Sequence, residues 1–415
     1  MLSAEINETL TRVGRGTPMG ELLRRYWQPA ALSEELPAGG APLPVRLLGE
    51  DLVLFRDERG QPGLLGLHCA HRGADLSYGR LEDGGLRCLY HGWLYDRTGR
   101  CLEQPGEPAG SIFYQRIHQT AYPCREVGGV IFAYLGPGEP PLVPAYAFLM
   151  APDDYRFVTK LFSACNYLQA NEGNFDPVHL SFLHRIFEAG GSNRLMAGDV
   201  APQIDLEITE WGMRIYAIRD ADAGARYARI TNMVYPNWAC FVGGPGRGGY
   251  SVNWHVPIDD THHWKYTFVW QRTKPLDKRA IARGRADADA SYHPARHKAN
   301  RYLQDREEQK TKSFIGMGNA FQIHDLCATE GPGPIQDRTA EHLTHQDIAI
   351  VTARNLMLKA IRDVQEGRDP PHVVRDPAKN QFPDLVVQSG LVPAGMDHRV
   401  FWKPESRALV GAAPD

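Results

Sequence analysis

The chain has 415 residues, of which 43% are hydrophobic and 10% are aromatic, which is enough to form more than one buried core. Its formal net charge of −3 provides no basic surface for a polyanion, so we expect no nucleic-acid partner. The first residues, Met1 to Glu5, lack the positive charge of a signal peptide, and no apolar run approaches the roughly 18 residues of a membrane span, so we expect a cytoplasmic protein.

Four segments follow one another along the chain. Residues 1–40 begin with a helical pattern that runs to about residue 35, because Thr17-Pro18 provides a helix N-cap followed by proline at the first helical position. Residues 41–145 consist of short apolar runs separated by glycine and proline, which is typical of a small all-β domain. A proline-rich stretch at 137–144 marks its end.

The remaining sequence predicts a mixed domain at 146–370 and a C-terminal tail at 371–415. Within the mixed domain, the hydrophobic patterns predict a helix in 166–187, antiparallel strands in 204–273 and a longer helix from Ile348 to Val364.

Two short segments of the predicted β domain each contain a cysteine and a histidine. Cys69-Ala70-His71 is followed, after sixteen residues, by Cys88-Leu89-Tyr90-His91. A Cys₂His₂ zinc finger places both cysteines before both histidines, whereas here each segment offers one thiolate and one imidazole. This alternation is typical of a [2Fe–2S] cluster in which the two cysteines bind one iron and the two histidines bind the other. We interpret the other five cysteines as small buried hydrophobic residues.

These two segments resemble the cluster-binding loops of the Rieske proteins. Flanking residues that match the oxygenase branch of that family are Gly73, Gly92-Trp93, Tyr95-Asp96 and Gly99. Respiratory Rieske proteins have an additional cysteine in each loop and a serine after the second loop, whereas this chain has Ala74, Tyr90 and Trp93 there. The resemblance therefore implies a cluster without a neighbouring disulfide, with a potential near the low end of the Rieske range, roughly −150 mV.

A second group of possible metal ligands lies in the predicted helix at 166–187. Asp176 and His179 are three residues apart and share one helix face. His179 and His184 are five residues apart, so both can bind one ion only if the helix is widened or ends there, and we expect a π-type bulge. Two histidines and one carboxylate form the triad that binds ferrous iron and leaves positions open for O₂.

This second group resembles the catalytic iron site of the large subunit of Rieske oxygenases. The resemblance implies that His179 and His184 bind Fe(II), and that Asp176 connects His179 to the Rieske centre of a neighbouring subunit. The family's third ligand is an aspartate far downstream, for which Asp325, Asp337 and Asp347 are candidates. We select Asp347 because it begins an aliphatic helical segment, whereas Asp337 lies in a turn-like sequence.

The resemblance covers about residues 10–365 and is to the phthalate dioxygenase-like branch. It implies an α+β protein, with an all-β Rieske domain and a catalytic domain whose curved antiparallel sheet wraps around a helix, assembled as a homotrimer. It further implies that O₂ is used to hydroxylate or dihydroxylate an aromatic, carboxylated substrate. Oxidative O-demethylation of a methoxylated or aryl-ether acid is the alternative, and a Rieske electron-transfer protein without oxygenase activity is a more remote one.

The sequence contains no dinucleotide-binding fingerprint after a predicted strand, and the glycine-rich stretch at 243–249 has the wrong spacing for one. Electrons from NAD(P)H are therefore expected only indirectly, through a separate flavin or iron–sulfur reductase. A buried substrate carboxylate would pair with an arginine. The candidates in the catalytic region are Arg194, Arg214, Arg219 and Arg247.

Overall fold

A computed structural model describes residues 1–188, 190–221, 224–243, 248–284, 288–383, 385–392 and 395–403. The helices are α1 (Ala4–Thr11), α2 (Pro18–Leu23), α3 (Ala147–Met150), α4 (Tyr167–Asn174), α5 (Gly191–Gly198), α6 (Lys278–Arg283), α7 (Arg306–Thr311), α8 (Phe321–Glu330) and α9 (Ile348–Gln365). Across these ranges, no helix combines the length and the apolar character that a membrane crossing requires.

The strands are β1 (Gln28–Leu32), β2 (Leu43–Leu47), β3 (Glu50–Arg56), β4 (Pro62–Gly66), β5 (Arg80–Glu82), β6 (Gly85–Arg87), β7 (Leu94–Asp96), β8 (Cys101–Glu103), β9 (Ala121–Tyr122), β10 (Cys124–Val127), β11 (Val130–Ala133), β12 (Arg156–Ser163), β13 (Gln203–Thr209), β14 (Gly212–Asp220), β15 (Arg226–Val234), β16 (Trp238–Phe241), β17 (Gly249–Pro257), β18 (His263–Gln271) and β19 (Ser389–Val392).

The N-terminal residues contain two helices and then a strand. Ser3 and Thr17 cap α1 and α2 by accepting hydrogen bonds from backbone N–H groups, and Pro18 occupies the start of α2 as predicted. The helical prediction to residue 35 is wrong for β1, because this segment pairs antiparallel with β11. Its five residues are all buried, so this strand is held by tertiary contacts that its local sequence does not specify.

Small antiparallel sheets make up the chain as far as β11. Strands β2-β3-β4-β9 form one sheet, β5-β6-β7-β8 form another, and β1-β11-β10 form a third. Val53, Phe55 and Leu65 from the first sheet pack in one buried cluster with residues of the second sheet. Cys69 and Cys88 belong to the same cluster, so the apolar packing of this all-β part fixes the two cysteine-containing loops.

The larger part of the chain is built on one antiparallel sheet with the order β12-β18-β17-β16-β15-β14-β13, and β19 pairs with β15. This confirms the strands predicted in 204–273. Helix α4 packs across β16 and β17, and the Asn253 amide donates a hydrogen bond to Asn174 at 3.1 Å. The sheet therefore supports the helix that precedes the predicted iron ligands.

Helix α9 confirms the predicted C-terminal helix. It packs against α2, β13 and β14, and its buried face includes Ala349, Ala353 and Met357. From this helix Arg354 forms a buried ion pair with Glu172 of α4 at 2.6 Å. Helix α9 is thereby joined to the helix that leads into the iron-ligand segment.

Candidate active site

Two matching loops bring the four predicted cluster ligands together. In each loop the cysteine N–H donates to a carbonyl five residues later, of Ala74 after Cys69 and of Trp93 after Cys88, both at 2.8 Å. Each loop also contains a glycine with positive φ, Gly73 at 75° and Gly92 at 74°. Residues with a side chain rarely adopt this conformation, which explains the glycine at the same place in both loops.

The side chains of these loops suit a two-iron cluster. Both cysteines are buried, and the His71 and His91 rings lie 4.5 Å apart between centroids. The His71 Nδ1 atom is buried without a hydrogen-bond partner, as expected of a metal ligand. No three of these four donor atoms lie within 4.8 Å of one another, a spacing that disfavours a single zinc ion and fits a larger cluster.

The predicted helix at 166–187 is shorter in the structure. Helix α4 ends at Asn174, and the Asp176 carboxylate accepts a hydrogen bond from the Val178 N–H at 2.8 Å, closing a turn around Pro177. A short 3₁₀ turn at His179–Ser181 follows. The expected π-type bulge is therefore wrong. The chain changes direction because the helix ends before His179.

His179, His184 and Asp325 form one potential metal site. Their donor atoms all lie within 4.8 Å of one another, and no other set of three histidine, cysteine, aspartate or glutamate residues in the described part of the chain does so. Asp325 Oδ1 lies 3.1 Å from His184 Nε2. Burial opposes ionisation of Asp325, but the neighbouring His184 and Lys265 hold the pKa of its carboxyl well below the usual range. The donor set fits ferrous iron, with two imidazoles and one carboxylate.

Asp325, and not Asp347, lies with the two histidines, and this geometry favours Asp325 over Asp347, the candidate selected from the sequence. Asp347 instead accepts hydrogen bonds from the backbone N–H and hydroxyl of Thr344, at 2.7 and 3.1 Å, and so completes the capping box of the 3₁₀ turn His345–Asp347 that leads into α9. The Asp337 carboxylate likewise accepts hydrogen bonds from its neighbour Thr339. Asp325 lies inside α8, a short helix that its sequence pattern did not reveal.

His324 determines which nitrogen of His184 is available for metal binding. His324 Nε2 lies 3.0 Å from the Gly318 carbonyl oxygen, which can only accept, so this nitrogen carries the proton. In a neutral His324 the other nitrogen, Nδ1, then accepts the hydrogen bond from His184 Nδ1 at 3.2 Å. When a metal is bound, His184 Nε2, which lies 3.1 Å from Asp325 Oδ1, would therefore offer its lone pair to the ion. Sequence reasoning gave His324 no role, because its partner lies 140 residues away.

Asp176 lies beside His179. The Asp176 carboxylate is 3.7 Å from His179 Nδ1, too long for a hydrogen bond, and this nitrogen is buried without a hydrogen-bond partner. The two side chains are therefore close to each other, and a hydrogen bond between them stays a prediction.

A cavity of about 900 Å³ extends from these residues over the sheet. Its apolar walls include Leu183, Met196 and Phe241. It also contains Arg229 from β15, which is 8% exposed and donates to the Val242 carbonyl at 2.7 Å. Within the described ranges no carboxylate lies at ion-pair distance from Arg229, and its Nε has no hydrogen-bond partner. A cavity of this size and character is typical of a small-molecule site.

The arginines selected from the sequence occupy other positions. Arg214 pairs with Glu207 and lies over the Trp402 ring, outside the cavity lining. Arg219 donates to the Pro177 carbonyl and to Ser181, so it holds the ligand segment in place. Arg194 is also outside the cavity lining, and Arg247 lies outside the described residues. The only sequence signal for Arg229 was its place within the strand pattern of 226–234, which also contains Arg226.

Two family matches cover most of the chain. Residues 26–123 match the Rieske [2Fe–2S] domain, and residues 133–409 match the family described as LigXa C-terminal domain like. The first match contains the four predicted cluster ligands, and the second contains His179, His184 and Asp325.

Full-length relatives agree with these matches. The chain is 39% identical to the phthalate 4,5-dioxygenase oxygenase subunit of Pseudomonas putida over 392 residues, 88% of each chain. It is 36% identical to the 5,5'-dehydrodivanillate O-demethylase oxygenase subunit of a Sphingobium species, over 95% of this chain and 89% of the relative. The same fold occurs in the terminal oxygenase of carbazole 1,9a-dioxygenase from Novosphingobium sp. KA1, with a TM-score of 0.60 and 22% identity over 88% of this chain and 96% of that one.

These matches confirm the predicted fold class and cofactors. Oxygenase components of this class contain a Rieske [2Fe–2S] cluster and a mononuclear iron, and they receive electrons from a separate reductase or ferredoxin. The chain belongs to the Rieske non-haem iron oxygenases and is a terminal oxygenase component of the phthalate dioxygenase-like branch.

Proposed function

We propose that this oxygenase hydroxylates an aromatic acid whose carboxylate pairs with Arg229 while its ring lies beside the iron site. The observation that carries the proposal is the position of Arg229, a buried cation that shares one cavity with His179, His184 and Asp325. Relatives named for phthalate and phenoxybenzoate, 39% and 34% identical to this chain, support a carboxylated substrate.

The electrostatics of Arg229 favour an anionic ligand. Burial lowers the pKa of its guanidinium, because a charged group loses its hydration inside the protein. One N–H group is satisfied by the Val242 carbonyl, whereas Nε has no partner. A carboxylate could accept two parallel hydrogen bonds from a guanidinium and compensate its charge. Binding of an acid would thus remove the cost of an unpaired buried cation.

Each cofactor has a defined set of proposed ligands in this chain. Cys69, His71, Cys88 and His91 would hold the cluster, and His179, His184 and Asp325 would hold the mononuclear iron. When bound, these groups supply electrons and the activation of O₂. The protein itself orients His184 through His324, binds the substrate at Arg229 and excludes water with the apolar walls of the cavity.

We also propose that electrons reach the iron from the cluster of a neighbouring subunit in a homotrimer. His91 and its neighbours Leu89 and Tyr90 are exposed, so the cluster ligands lie at a surface that another chain can approach. Asp176 lies beside His179 and lines the cavity. Solved complexes of carbazole 1,9a-dioxygenase contain its oxygenase with ferredoxin, which supports a ferredoxin or reductase as the external donor.

O-demethylation is the alternative reaction at the same site. It is supported by the 36% identity to an O-demethylase oxygenase subunit over 95% of this chain. Both reactions use the same iron ligands, so the geometry of His179, His184 and Asp325 is compatible with each.

A substitution of Arg229 tests the proposed function. Phthalate, 3-chlorobenzoate, phenoxybenzoate and methoxybenzoates would be assayed with a reductase for oxygen uptake coupled to product. For the acids that wild type converts, Arg229→Gln should raise KM at least about thirtyfold, because a buried charge pair loses roughly 2 kcal/mol or more when one partner is removed. Arg229→Lys should recover part of the loss.

Arg226→Gln is the matched control, since Arg226 lies on the same strand outside the cavity lining and donates to the Met396 carbonyl. It should leave KM unchanged. Conversion of no acid in the panel, or an unchanged KM in Arg229→Gln, would contradict the proposed function.

A further inference from the structure

Two buried histidines form a pair at the end of the cavity near Lys265. His255 of β17 and His263 of β18 are 2% and 0% exposed, and His255 Nδ1 lies 3.0 Å from His263 Nε2. His263 Nδ1 lies 2.8 Å from the carbonyl oxygen of Cys165. His255 lines the cavity, whereas His263 lies behind it.

The hydrogen bonds of this pair assign the protons to particular nitrogens. The Cys165 carbonyl can only accept, so His263 Nδ1 must carry a proton. In a neutral His263 the Nε2 atom is then an acceptor, and His255 Nδ1 must donate to it. A neutral His255 therefore has no proton on Nε2.

Both rings are neutral near pH 7. Burial lowers the pKa of His263 to about 3. Burial also lowers the pKa of His255, and the neighbouring His263 and Lys265 lower it further, while Asp325 opposes them.

His255 Nε2 is thus a fixed acceptor that has no donor among the described residues. The same arrangement of a carbonyl, an inner histidine and an outer histidine leaves His184 Nε2 free for metal. His255, however, is not part of the group of donor atoms around Asp325. The His255 ring lines the proposed substrate cavity, and its buried Nε2 is an acceptor without a donor, which is unfavourable.

We propose that His255 is a specificity-determining residue that accepts a hydrogen bond from a hydroxyl group of the substrate. The preferred substrate is then a hydroxylated aromatic acid, with its carboxylate at Arg229 and its hydroxyl at His255. The position of the carboxylate at Arg229 rests on the proposed function, whereas the hydroxyl contact is inferred from the His255–His263 pair alone. A methoxy group or a hydrogen atom at that position cannot donate and leaves His255 unsatisfied.

Binding to the reduced holoenzyme without O₂ tests the inference. Calorimetry would compare 3- and 4-hydroxybenzoate, and phenol, with their methoxy counterparts and with benzoate and benzene. In wild type at least one hydroxylated ligand should bind about tenfold more tightly than its methoxy counterpart, the effect of one satisfied hydrogen bond of roughly 1.4 kcal/mol. His255→Phe should remove this preference, and His255→Gln, which keeps an acceptor oxygen, should retain part of it.

His262→Phe is the control, because His262 is largely outside the core and pairs with Asp259. It should keep the wild-type preference. Equal binding of hydroxylated and methoxylated ligands by wild type, or a preference that persists in His255→Phe, overturns the inference. Acids that bind through Arg229 without hydroxyl preference would leave the proposed function intact, whereas binding of phenol but of no acid would contradict the proposed function alone.

Discussion

Individual hydrogen positions decide what the histidines of this cavity can do. His184 and His255 each contact an inner histidine that is held by a backbone carbonyl, through His324 to Gly318 and through His263 to Cys165. Each outer ring thereby presents an unprotonated Nε2. One of these atoms lies with two other metal donors and the other does not, so the same local chemistry serves metal binding in one place and substrate binding in the other.

Substitution of the two competing aspartates separates their roles. Asp325→Asn should lose most of the mononuclear iron and the activity while keeping the Rieske absorption, because only the second metal site is affected. Asp347→Asn should keep both metals and lose at most about 1 kcal/mol of stability, the usual contribution of a helix cap. Iron and sulfide analysis with visible spectroscopy measures both. Full mononuclear iron in Asp325→Asn, with loss in Asp347→Asn, would restore the sequence-based choice.

The four proposed cluster ligands could be selected from the sequence, whereas Asp325, the proposed third iron ligand, could not, for a physical reason. Cys69 and His71 lie in one tight loop, so their spacing in the sequence indicates that their side chains are close in space. Asp325 is 141 residues from His184 and reaches it only through the packing of α8. Arg229 and His255 were missed for the same reason, since a strand pattern does not show which cavity a side chain faces.

At the scale of elements, a buried ion network connects the helices around the site. Glu172 of α4 accepts hydrogen bonds from Arg338 at 2.8 Å and from Arg354 of α9 at 2.6 Å. Arg354 also pairs with Glu341. Burial opposes ionisation of Glu172, yet the two arginines lower the pKa of its carboxyl below the ordinary value.

Glu172→Gln should reduce the free energy of unfolding by about 3–5 kcal/mol, because two arginines are left buried without their shared carboxylate. Denaturant unfolding measures the effect. Glu366→Gln is the control, since its pair with Arg368 is exposed and its loss should leave the free energy of unfolding nearly unchanged.

The difference in unfolding free energy between wild type and Glu172→Gln should depend on pH, because the pKa of the Glu172 carboxyl is lowered in the folded protein. Stabilisation by an ionised carboxylate is fully present above the unfolded-state pKa of about 4.3 and is lost as pH falls through the lower folded-state value. The difference between wild type and Glu172→Gln should therefore stay constant from neutral pH to about pH 5 and decrease below about pH 4. A difference that disappears already between pH 7 and 5 would contradict the pairing.

Secondary structure was predictable where the pattern was long and local. The periodic segment that became α9 and the alternating strands β13–β18 were both recovered. Helix α4 was predicted too long, because a helical hydrophobic pattern continues past the point where the Asp176–Val178 turn ends the helix. Strand β1 was missed because its partner β11 lies about 100 residues later in the chain.

For the whole molecule, the proposed homotrimer predicts that two inactive variants complement each other. Cys88→Ala should lack the cluster and His184→Ala should lack the mononuclear iron, so each alone should be inactive. In co-expressed mixed oligomers, about a quarter of the head-to-tail interfaces join an intact cluster to an intact iron site, and activity should recover to about that fraction of wild type. Activity measured on purified mixed oligomers that stays at the background of the separate variants would contradict electron transfer between subunits.

A single turnover under ¹⁸O₂ shows whether this chain inserts oxygen from O₂ into an aromatic acid. The holoenzyme would be reduced, freed of reductant and mixed with ¹⁸O₂ and each acid of the panel, without a reductase present. We expect reoxidation of the cluster together with ¹⁸O in a ring hydroxyl, or with release of formaldehyde if the reaction is O-demethylation, because formaldehyde exchanges its oxygen with water. Reoxidation of the cluster without a labelled ring hydroxyl or formaldehyde from any acid would contradict oxygen insertion.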